Sequence, residues 1–375
     1  MKIYQKMLVC ILTYFVLFGN AQVTLLSDPK ATPETQNLYR NLWKTLDIGI
    51  MFGHQDDLAY GVNWRMQKDR SDVLETAGDY PAVFGWDIMN MELDKAGAID
   101  IFTFKEMKKM IEKVYDKGGV NTISWHTSNP KTGKDAWDNS QETIATILPN
   151  GEKHDLYKSW LDKISHYFLS IKGKDKKLVP IIFRPYHELT GGWFWWGKGK
   201  CTPEEFKSLW RFTYDYITKE KQVHNLIWMY NTSDFNSKEE FLEAYPGDNY
   251  VDMISFDIYL TTNPVYDNSF VQNAQKQFSI MDEIAKQHHK VPALAETGFE
   301  QIPYNKFWMK TLMEAIGEFR ISYVLAWRNH GLTQENKMHY YVPYKGHPNE
   351  HDFKNFYNLD KTLFLKEIQK LEMYK

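Results

Sequence analysis

The chain has 375 residues, of which 43% are hydrophobic and 25% are charged, and its formal net charge is −3. This composition is typical of a globular protein with enough apolar material for one large core, and it argues against a disordered or membrane-embedded chain. The slightly acidic balance gives no basic surface for nucleic acid.

The first residues have the pattern of a cleaved export signal. Lys2 and Lys6 precede an apolar run over residues 7–18, and small residues follow as far as Ala21. We predict cleavage near Ala21, so that residues 1–21 form a signal peptide and the protein is periplasmic or secreted. A membrane anchor is the alternative, but the run is shorter than the roughly 17 to 25 residues of a spanning helix. Cleavage would remove two lysines and no acidic residue, which takes the net charge from −3 to −5.

The cysteine usage is compatible with an exported protein that is stabilised by burial. The chain has two cysteines, Cys10 and Cys201, so the mature part keeps one thiol and cannot form an internal disulfide. Cys10 lies at the start of the apolar run, whereas a lipidated cysteine would follow the run, which argues against a lipoprotein signal. For Cys201 we expect a partly buried side chain without a nucleophilic role.

Short apolar runs rich in β-forming residues recur after the signal. Eight are present, at residues 48–52, 82–86, 120–125, 179–183, 226–230, 251–256, 291–295 and 321–327. Segments with helical periodicity separate them, such as 102–115, which Gly118 follows, and 203–217, which Thr202 and Glu205 open in the register of a capping box.

This alternation of strand and helix predicts a parallel sheet that is covered on both faces. Eight such units can close into a (β/α)8 TIM barrel, which we predict as a single domain over residues 22–375. A doubly wound open sheet is the alternative, since it also alternates strand and helix. The absence of a G-x-G-x-x-G motif after the first predicted strand weakens that alternative.

Polar and aromatic residues gather where the apolar runs end. They are His54, Gln55, Asp56, Asp87, Trp125, His126, His187, Glu188, Asn231, Asp257, Tyr259, Glu296, Trp327, Arg328 and Asn329. In a barrel the carboxyl ends of all strands converge on one face, and active sites of TIM barrels lie there. The sequence therefore predicts a site that is assembled from the whole chain.

Two of these residues, Glu188 and Glu296, end strong apolar runs, the fourth and the seventh. Such a pair can hydrolyse a glycosidic bond with retention if the two carboxyl groups are roughly 5 to 5.5 Å apart. Unrelated rim carboxylates in salt bridges are the alternative. The aromatic loop after Glu188 can desolvate its carboxyl and favour an acid, whereas donors such as Tyr259 and Arg328 would keep Glu296 ionised as the nucleophile.

The aromatic residues of the rim suggest a sugar ligand. Aromatic residues make up 15% of the chain, and Trp193, Trp195 and Trp196 form the densest cluster of tryptophans. Flat aromatic rings offer apolar platforms for sugar faces. We expect Trp193 and Trp327 to contact a ligand, while most other aromatic side chains pack in the core.

A metal-dependent barrel hydrolase is the competing class of enzyme. Side chains of His54, Asp56 and Asp57, together with His126 and His187, are of the types that bind Zn²⁺. However, the sequence lacks an H-x-H motif after the first predicted strand and a lysine at the end of the fourth. We therefore expect no metal and no other cofactor.

The segment Arg184-Pro185-Tyr186-His187-Glu188, followed by GGWFWWG at residues 191–197, resembles glycoside hydrolase family 26, which contains many bacterial β-mannanases. The likeness continues at residues 52–56, 125–126, 255–259, 296–298 and 327–329. It implies a TIM-barrel enzyme that hydrolyses its substrate with retention of the anomeric configuration, with Glu188 as acid/base and Glu296 as nucleophile. It also implies substrate contacts from His126, His187, Trp193, Asp257, Tyr259, Trp327 and Arg328.

The resemblance implies an endo-β-1,4-mannanase that acts on mannan, glucomannan or galactomannan. Alternatives within the family are an exo-acting enzyme that releases mannobiose, a mixed-linkage β-glucanase and a β-1,3-xylanase. A sugar-binding barrel without activity would usually have lost one of the two glutamates. We expect a monomer whose partner is the polysaccharide or oligosaccharide substrate, with no nucleic acid and no stable membrane insertion.

Overall fold

Eight parallel strands form the centre of the protein in the computed structural model, which describes residues 26–97 and 101–375. In chain order they are β1 (Ile50–Gln55), β2 (Val83–Asp87), β3 (Val120–Trp125), β4 (Ile181–Pro185), β5 (Leu226–Thr232), β6 (Met253–Leu260), β7 (Val291–Phe299) and β8 (Tyr323–Ala326). Nearly all of their residues are buried, as expected for parallel strands that are covered on both sides. The predicted signal peptide at residues 1–21 lies outside the described residues.

The sheet closes on itself. Strand β1 pairs with β2 and also with β8, where Met51 lies opposite Tyr323 and His54 lies opposite Ala326. The other strands pair with their neighbours in the chain, so the order around the barrel is the order in the sequence. The predicted (β/α)8 TIM barrel is therefore confirmed, and the open doubly wound sheet is wrong. A short strand at Thr362–Leu363 pairs with the start of β1.

Helices surround the barrel. They are α1 (Pro33–Ile48), α2 (Asp72–Ala77), α3 (Phe104–Asp116), α4 (Thr143–Ile147), α5 (His154–Ser170), α6 (Pro203–Tyr214), α7 (Lys238–Leu242), α8 (Ser269–His288), α9 (Met313–Ile316), α10 (Glu350–Tyr357) and α11 (Leu365–Leu371). Within the described residues, no helix combines the length and the apolar character that crossing a membrane would require.

Local signals in the sequence explain where helices begin. The Thr202 hydroxyl accepts the backbone N–H of Glu205, and the Glu205 carboxylate accepts the backbone N–H of Thr202, which completes the predicted capping box of α6. Helix α3 begins with the same arrangement. Helix α6 ends at Tyr214, earlier than predicted, because the backbone continues as a π-helix over Asp215–Glu220.

Each predicted apolar run overlaps an observed strand, but the strands near the site extend further. The run at 251–256 corresponds to β6, which continues to Leu260, and the run at 291–295 corresponds to β7, which continues to Phe299. Polar side chains end these apolar runs without ending the backbone pairing. Glu296 therefore lies within a paired strand and not in a loop.

Helix α1 closes the bottom of the barrel, where the strands begin. Its residues Leu38, Tyr39 and Leu42 belong to one buried apolar cluster with Met51 of β1 and with Ile227 of β5. The bottom is thus filled with apolar side chains, and the opposite end, where the strands finish, carries the polar residues.

Candidate active site

The two predicted catalytic carboxylates lie side by side at the carboxyl end of the barrel. Glu188 follows β4 by three residues, and Glu296 belongs to β7. One carboxylate oxygen of each, together with one of Asp257, lies within 4.8 Å of the others. Retaining glycoside hydrolases hold their carboxyl groups roughly 5 to 5.5 Å apart, and inverting ones roughly 6.5 to 9.5 Å. With oxygens this close, Glu188 and Glu296 are nearer to the retaining arrangement than to the inverting one.

A left-handed turn presents Glu188 to the cleft. Tyr186 and Glu188 have φ angles of 51° and 54°, a region that residues other than glycine rarely occupy. Hydrogen bonds to buried groups beneath the loop hold this turn. The Tyr186 hydroxyl bonds to Oγ1 of Thr213 at 2.8 Å, and the Trp196 indole N–H donates to the carbonyl of His187 at 2.9 Å. Such local strain occurs at functional sites, where the surrounding contacts maintain it.

A bulge in β7 places Glu296 beside Asp257. Along the pairing of β6 with β7, Phe256 lies opposite Leu294, but Asp257 lies opposite Glu296, so β7 contains one extra residue between these pairs. A bulge changes the direction of a side chain and is common next to active sites. The two acidic side chains therefore meet at the same level of the barrel.

Glu296 is buried and accepts hydrogen bonds from two donors. The Tyr259 hydroxyl donates to Oε2 at 2.7 Å, and the guanidinium of Arg184 donates to Oε1. Donors to a carboxylate stabilise its charged form. Tyr259 was a predicted donor, but the predicted cation, Arg328, is replaced by Arg184 from β4. Nothing in the sequence indicated which carboxylate a buried arginine of β4 would meet.

Glu188 is half-buried and has different surroundings. Burial, and then the negative charge of Glu296, raise the pKa of Glu188 to about 7, while the indole N–H of Trp193, which donates to its Oε2 at 2.7 Å, acts in the opposite direction. A carboxyl group with this pKa is substantially protonated near neutral pH, as a general acid requires. Of the tryptophan cluster, Trp193 contacts the carboxylate, whereas Trp195 and Trp196 are fully buried beneath the loop.

The space in front of the two glutamates is a cavity of about 240 Å³. Its lining includes five residues that the sequence predicted to contact substrate, namely His126, His187, Trp193, Tyr259 and Trp327. Trp193 is 43% exposed, so its ring is available to a ligand. The prediction of an aromatic site around the two carboxylates agrees with this arrangement.

Asp257, which was predicted to contact substrate, is buried next to the cavity and does not line it. Its side chain has no exposed surface. It accepts hydrogen bonds from Arg184 at 2.8 Å and from the side-chain amide of Asn231 at 2.8 Å. Asp257 precedes Tyr259 by two positions on β6 and therefore lies deeper in the barrel. There it binds and supports Arg184.

Arg328 lies in a second cavity of about 1500 Å³, away from Glu296. Its guanidinium is 5.8 Å from the centre of the Trp327 ring. Burial alone would lower the pKa of Arg328, but the neighbouring Tyr60 and Asp56 raise it above its ordinary value. Trp327 lines the smaller cavity, and Arg328, the next residue, lines the larger one.

Two histidines form a chain with Asp87. Nδ1 of His126 is 2.6 Å from Oδ2 of Asp87, and the Nε2 atoms of His126 and His187 are 3.1 Å apart. Burial opposes protonation of His126, but the Asp87 carboxylate raises its pKa, whereas burial and the charge of His126 hold the pKa of His187 well below its usual range. When the pair carries one positive charge, the additional proton therefore resides on His126.

Trp137 and Tyr341 also line the smaller cavity, although no pattern in the sequence pointed to them. Trp137 is 51% exposed and stacks on His126, with ring centres 5.2 Å apart. Tyr341 packs over Gly298, where a Cβ atom would lie 2.2 Å from the tyrosine ring. Both aromatic residues come from long loops, in which no periodic pattern marks their direction. The glycine of the Glu296-Thr297-Gly298 segment was the available sign of a close approach.

The residues proposed for a metal do not gather as that alternative required. His54 bonds through Nδ1 to Oδ1 of Asp57 at 2.7 Å. Over residues 26–97 and 101–375, the group of three suitable side chains with donor atoms within 4.8 Å consists of Glu188, Asp257 and Glu296. Because Arg184 donates to Asp257 and Glu296, ion pairing already accounts for two of these carboxylates.

Cys201 lies outside this site and is half-buried. Burial raises the pKa of its thiol to about 12. Such a thiol stays protonated near neutral pH, which is in keeping with the expectation that Cys201 has no nucleophilic role.

Known proteins are similar to this chain in sequence and in fold. The profile of Glycosyl hydrolase family 26 matches residues 27–338. A mannan endo-1,4-beta-mannosidase from Bifidobacterium adolescentis is 33% identical, over 92% of this chain and 36% of its own length. Mannan endo-1,4-beta-mannosidase A and B from Caldalkalibacillus mannanilyticus is 28% identical, over 69% of this chain and 53% of its own length. This chain thus spans between about a third and a half of these two curated relatives.

A solved structure matches over nearly its whole length. A GH26 β-mannanase from Bacteroides ovatus is 39% identical and superposes with a TM-score of 0.87, covering 92% of this chain and 98% of that one.

Proposed function

This chain belongs to glycosyl hydrolase family 26, and from that premise we propose that it is a retaining endo-β-1,4-mannanase, which cleaves internal bonds of mannan, glucomannan or galactomannan. The observation that carries the proposal is the pair of carboxylates within 4.8 Å of each other in unequal surroundings. Glu296 is held by a cation and a phenol, and Glu188 has a raised pKa.

In the first step, Glu296 is the nucleophile. Its carboxylate oxygen attacks the anomeric carbon while the glycosidic C–O bond breaks, and the proton of Glu188 passes to the departing oxygen. Arg184 and Tyr259 orient the attacking carboxylate through their hydrogen bonds to its two oxygens. The product of this step is a glycosyl ester of Glu296.

In the second step, Glu188 acts as the base. A water molecule enters where the leaving sugar was, gives its proton to Glu188 and attacks the anomeric carbon, while the ester bond to Glu296 breaks. Two inversions restore the original configuration. Glu188 ends the cycle protonated and Glu296 ionised, as they began.

The choice of a β-mannan rests on relatives and on the shape of the site. The two curated relatives and the solved structure carry the names of mannanases. The aromatic lining, including Trp193 and Trp327, suits the apolar faces of sugar rings. Internal cleavage is supported by the two curated relatives, which are named mannan endo-1,4-beta-mannosidases.

Digestion of four polysaccharides tests this proposal. Purified protein is incubated with glucomannan, galactomannan, lichenan and β-1,3-xylan, and the products are resolved by size. We expect both mannans to be shortened to oligosaccharides of several lengths at early times. Failure to cleave either mannan would overturn the substrate, and mannobiose as the sole early product would establish exo action.

We further propose that residues 1–21 are a signal peptide, that the catalytic barrel is exported as residues 22–375, and that it acts as a monomer. Lys2 and Lys6 before the apolar run support export. Mass spectrometry of the exported protein tests the cleavage point, since retention of residue 1 would contradict it. Light scattering tests the monomer.

A further inference from the structure

Asn231, the penultimate residue of β5, lies between the turn that carries Glu188 and the ion pair that holds Glu296. Its side chain is buried. The amide oxygen Oδ1 accepts the backbone N–H of Glu188 at 2.7 Å, and the amide Nδ2 donates to Oδ1 of Asp257 at 2.8 Å. Asp257 in turn binds Arg184, which donates to Glu296. A single amide therefore contacts the turn of one glutamate and the ion pair beneath the other.

The remaining bonds of this amide are also made. Oδ1 accepts a second, longer bond from Arg184 at 3.3 Å, and Nδ2 donates to Oγ of Ser255 at 2.9 Å. A side-chain amide offers two donors and two acceptor positions, and all four are used. The orientation of Asn231 is fixed by chemistry, because the backbone N–H of Glu188 and the guanidinium of Arg184 can only donate, so the atom that they contact is the amide oxygen.

We propose that Asn231 is a positioning residue that sets the acid/base Glu188 and the nucleophile Glu296 in their relative places. This inference rests on the proposed function of these two residues. The backbone N–H of Glu188 lies in a left-handed turn beyond the end of β4, so a side chain supplies its partner. An apolar side chain at this position would leave that N–H unpaired, and a carboxylate would repel Asp257.

The experiment compares two substrates that differ in their need for an acid. Mannotetraose has a poor leaving group and requires proton donation, whereas 2,4-dinitrophenyl β-mannobioside needs little. The quantity measured is the ratio of kcat/KM for the aryl substrate to kcat/KM for mannotetraose. Displacement of Glu188 raises this ratio, and general loss of folded protein does not change it.

For Asn231→Ala we expect the ratio to rise by about tenfold or more, since misplacing a general acid forfeits part of the roughly 10²- to 10⁴-fold that it contributes. The matched control is Asn225→Ala. Asn225 is also buried, directly precedes β5 at the other end of the barrel, and donates from Nδ2 to the carbonyl of Val179 at 2.7 Å. We expect the control ratio to stay within about twofold of the wild-type ratio, as an acid left in place requires.

Asn231→Asp separates the effect on Glu188 from the effect on Glu296. It preserves the shape of the side chain. Its remaining oxygen still accepts the N–H of Glu188, so the ratio should stay within about twofold of the wild-type value. The second oxygen repels Asp257 and competes with Glu296 for Arg184, so kcat/KM should fall by about tenfold or more on both substrates. This variant carries the test if Asn231→Ala does not fold.

An unchanged ratio in folded Asn231→Ala, or unchanged kcat/KM on both substrates in Asn231→Asp, would overturn the positioning role. These outcomes are distinct from failure of the proposed function. If wild-type protein cleaved neither mannotetraose nor the aryl mannobioside, the function itself would be wrong.

Discussion

The ends of β4 and β7 each carry one glutamate, and they hold it in different ways. Beyond β4, Glu188 stands on a left-handed turn and receives one indole N–H at its carboxylate. Within β7, Glu296 stands on a paired strand and receives a guanidinium and a phenol. Both are shielded from solvent to a large extent, so burial alone does not separate them. The number and charge of the donors assign one carboxyl group to acid chemistry and the other to attack.

The largest effect should follow from Glu296→Ala. This substitution removes the attacking oxygen, and we expect kcat/KM to fall by at least about 10⁴-fold on mannotetraose and on 2,4-dinitrophenyl β-mannobioside alike. Steady-state kinetics with both substrates measure the loss, and circular dichroism verifies that the barrel is folded. Substantial activity on the aryl substrate would break the assignment of the β7 end.

Glu188→Ala should have a large effect on one substrate only. We expect kcat/KM for mannotetraose to fall by about 10²- to 10⁴-fold, because its leaving oxygen must be protonated, while the aryl substrate keeps kcat/KM within about tenfold of wild type. Glu204→Ala, an exposed acidic residue on α6, serves as the control and should change neither value. Equal losses on the two substrates would contradict the acid role.

A smaller effect is expected from Trp193→Phe, which keeps an aromatic ring but removes the N–H donor to Glu188. That donor stabilises the ionised carboxylate, so its removal raises the pKa of Glu188. The protonated acid is lost as pH rises through this pKa, so the alkaline limb of kcat/KM should move to higher pH. One hydrogen bond corresponds to a shift of at most about one pH unit. Movement to lower pH would show that Trp193 acts otherwise.

The smallest effect should come from a chelator. We expect kcat on glucomannan to be the same with and without EDTA, because Arg184 supplies positive charge to the carboxylates of Asp257 and Glu296. The assay compares initial rates after prolonged incubation with the chelator. Loss of activity that added Zn²⁺ or Ca²⁺ restores would instead make the three carboxylates a metal centre.

The barrel was predictable because burial on both faces requires nearly continuous apolar strands. Each such run in the sequence overlaps a strand, and eight alternating units match the number in a TIM barrel. Strand ends were less predictable at β6 and β7, because residues such as Asp257 and Glu296 interrupt the apolar pattern while the backbone pairing continues.

Much of the site was predictable where position along a strand decides it. Glu188, Glu296 and Tyr259 were identified as residues at strand ends, and they do converge. The contacts of Arg184 and Asn231 depend on the level at which neighbouring strands meet, and the bulge in β7 changes that level. No periodicity in the sequence indicates the level at which these side chains meet.

Two residues on loops escaped prediction for another reason. Trp137 and Tyr341 reach the cavity from segments without regular structure, whereas Trp195 and Trp196, close to Glu188 in sequence, turn into the core. In a loop, closeness in sequence does not show which way a side chain faces, because the backbone can change direction at every residue.

Closure of the barrel bottom by α1 also determines how the protein can be attached to a support. The amide of Asn37 donates to the carbonyl of Tyr374 at 3.0 Å, and that of Asn41 to the carbonyl of Met373 at 3.0 Å, so the last residues lie against this helix. Lys375 is therefore at the end of the barrel opposite to the cleft. Immobilisation on a resin through an added tag after Lys375 would leave the cleft facing outward, open to polymers too long to diffuse between protein and bead.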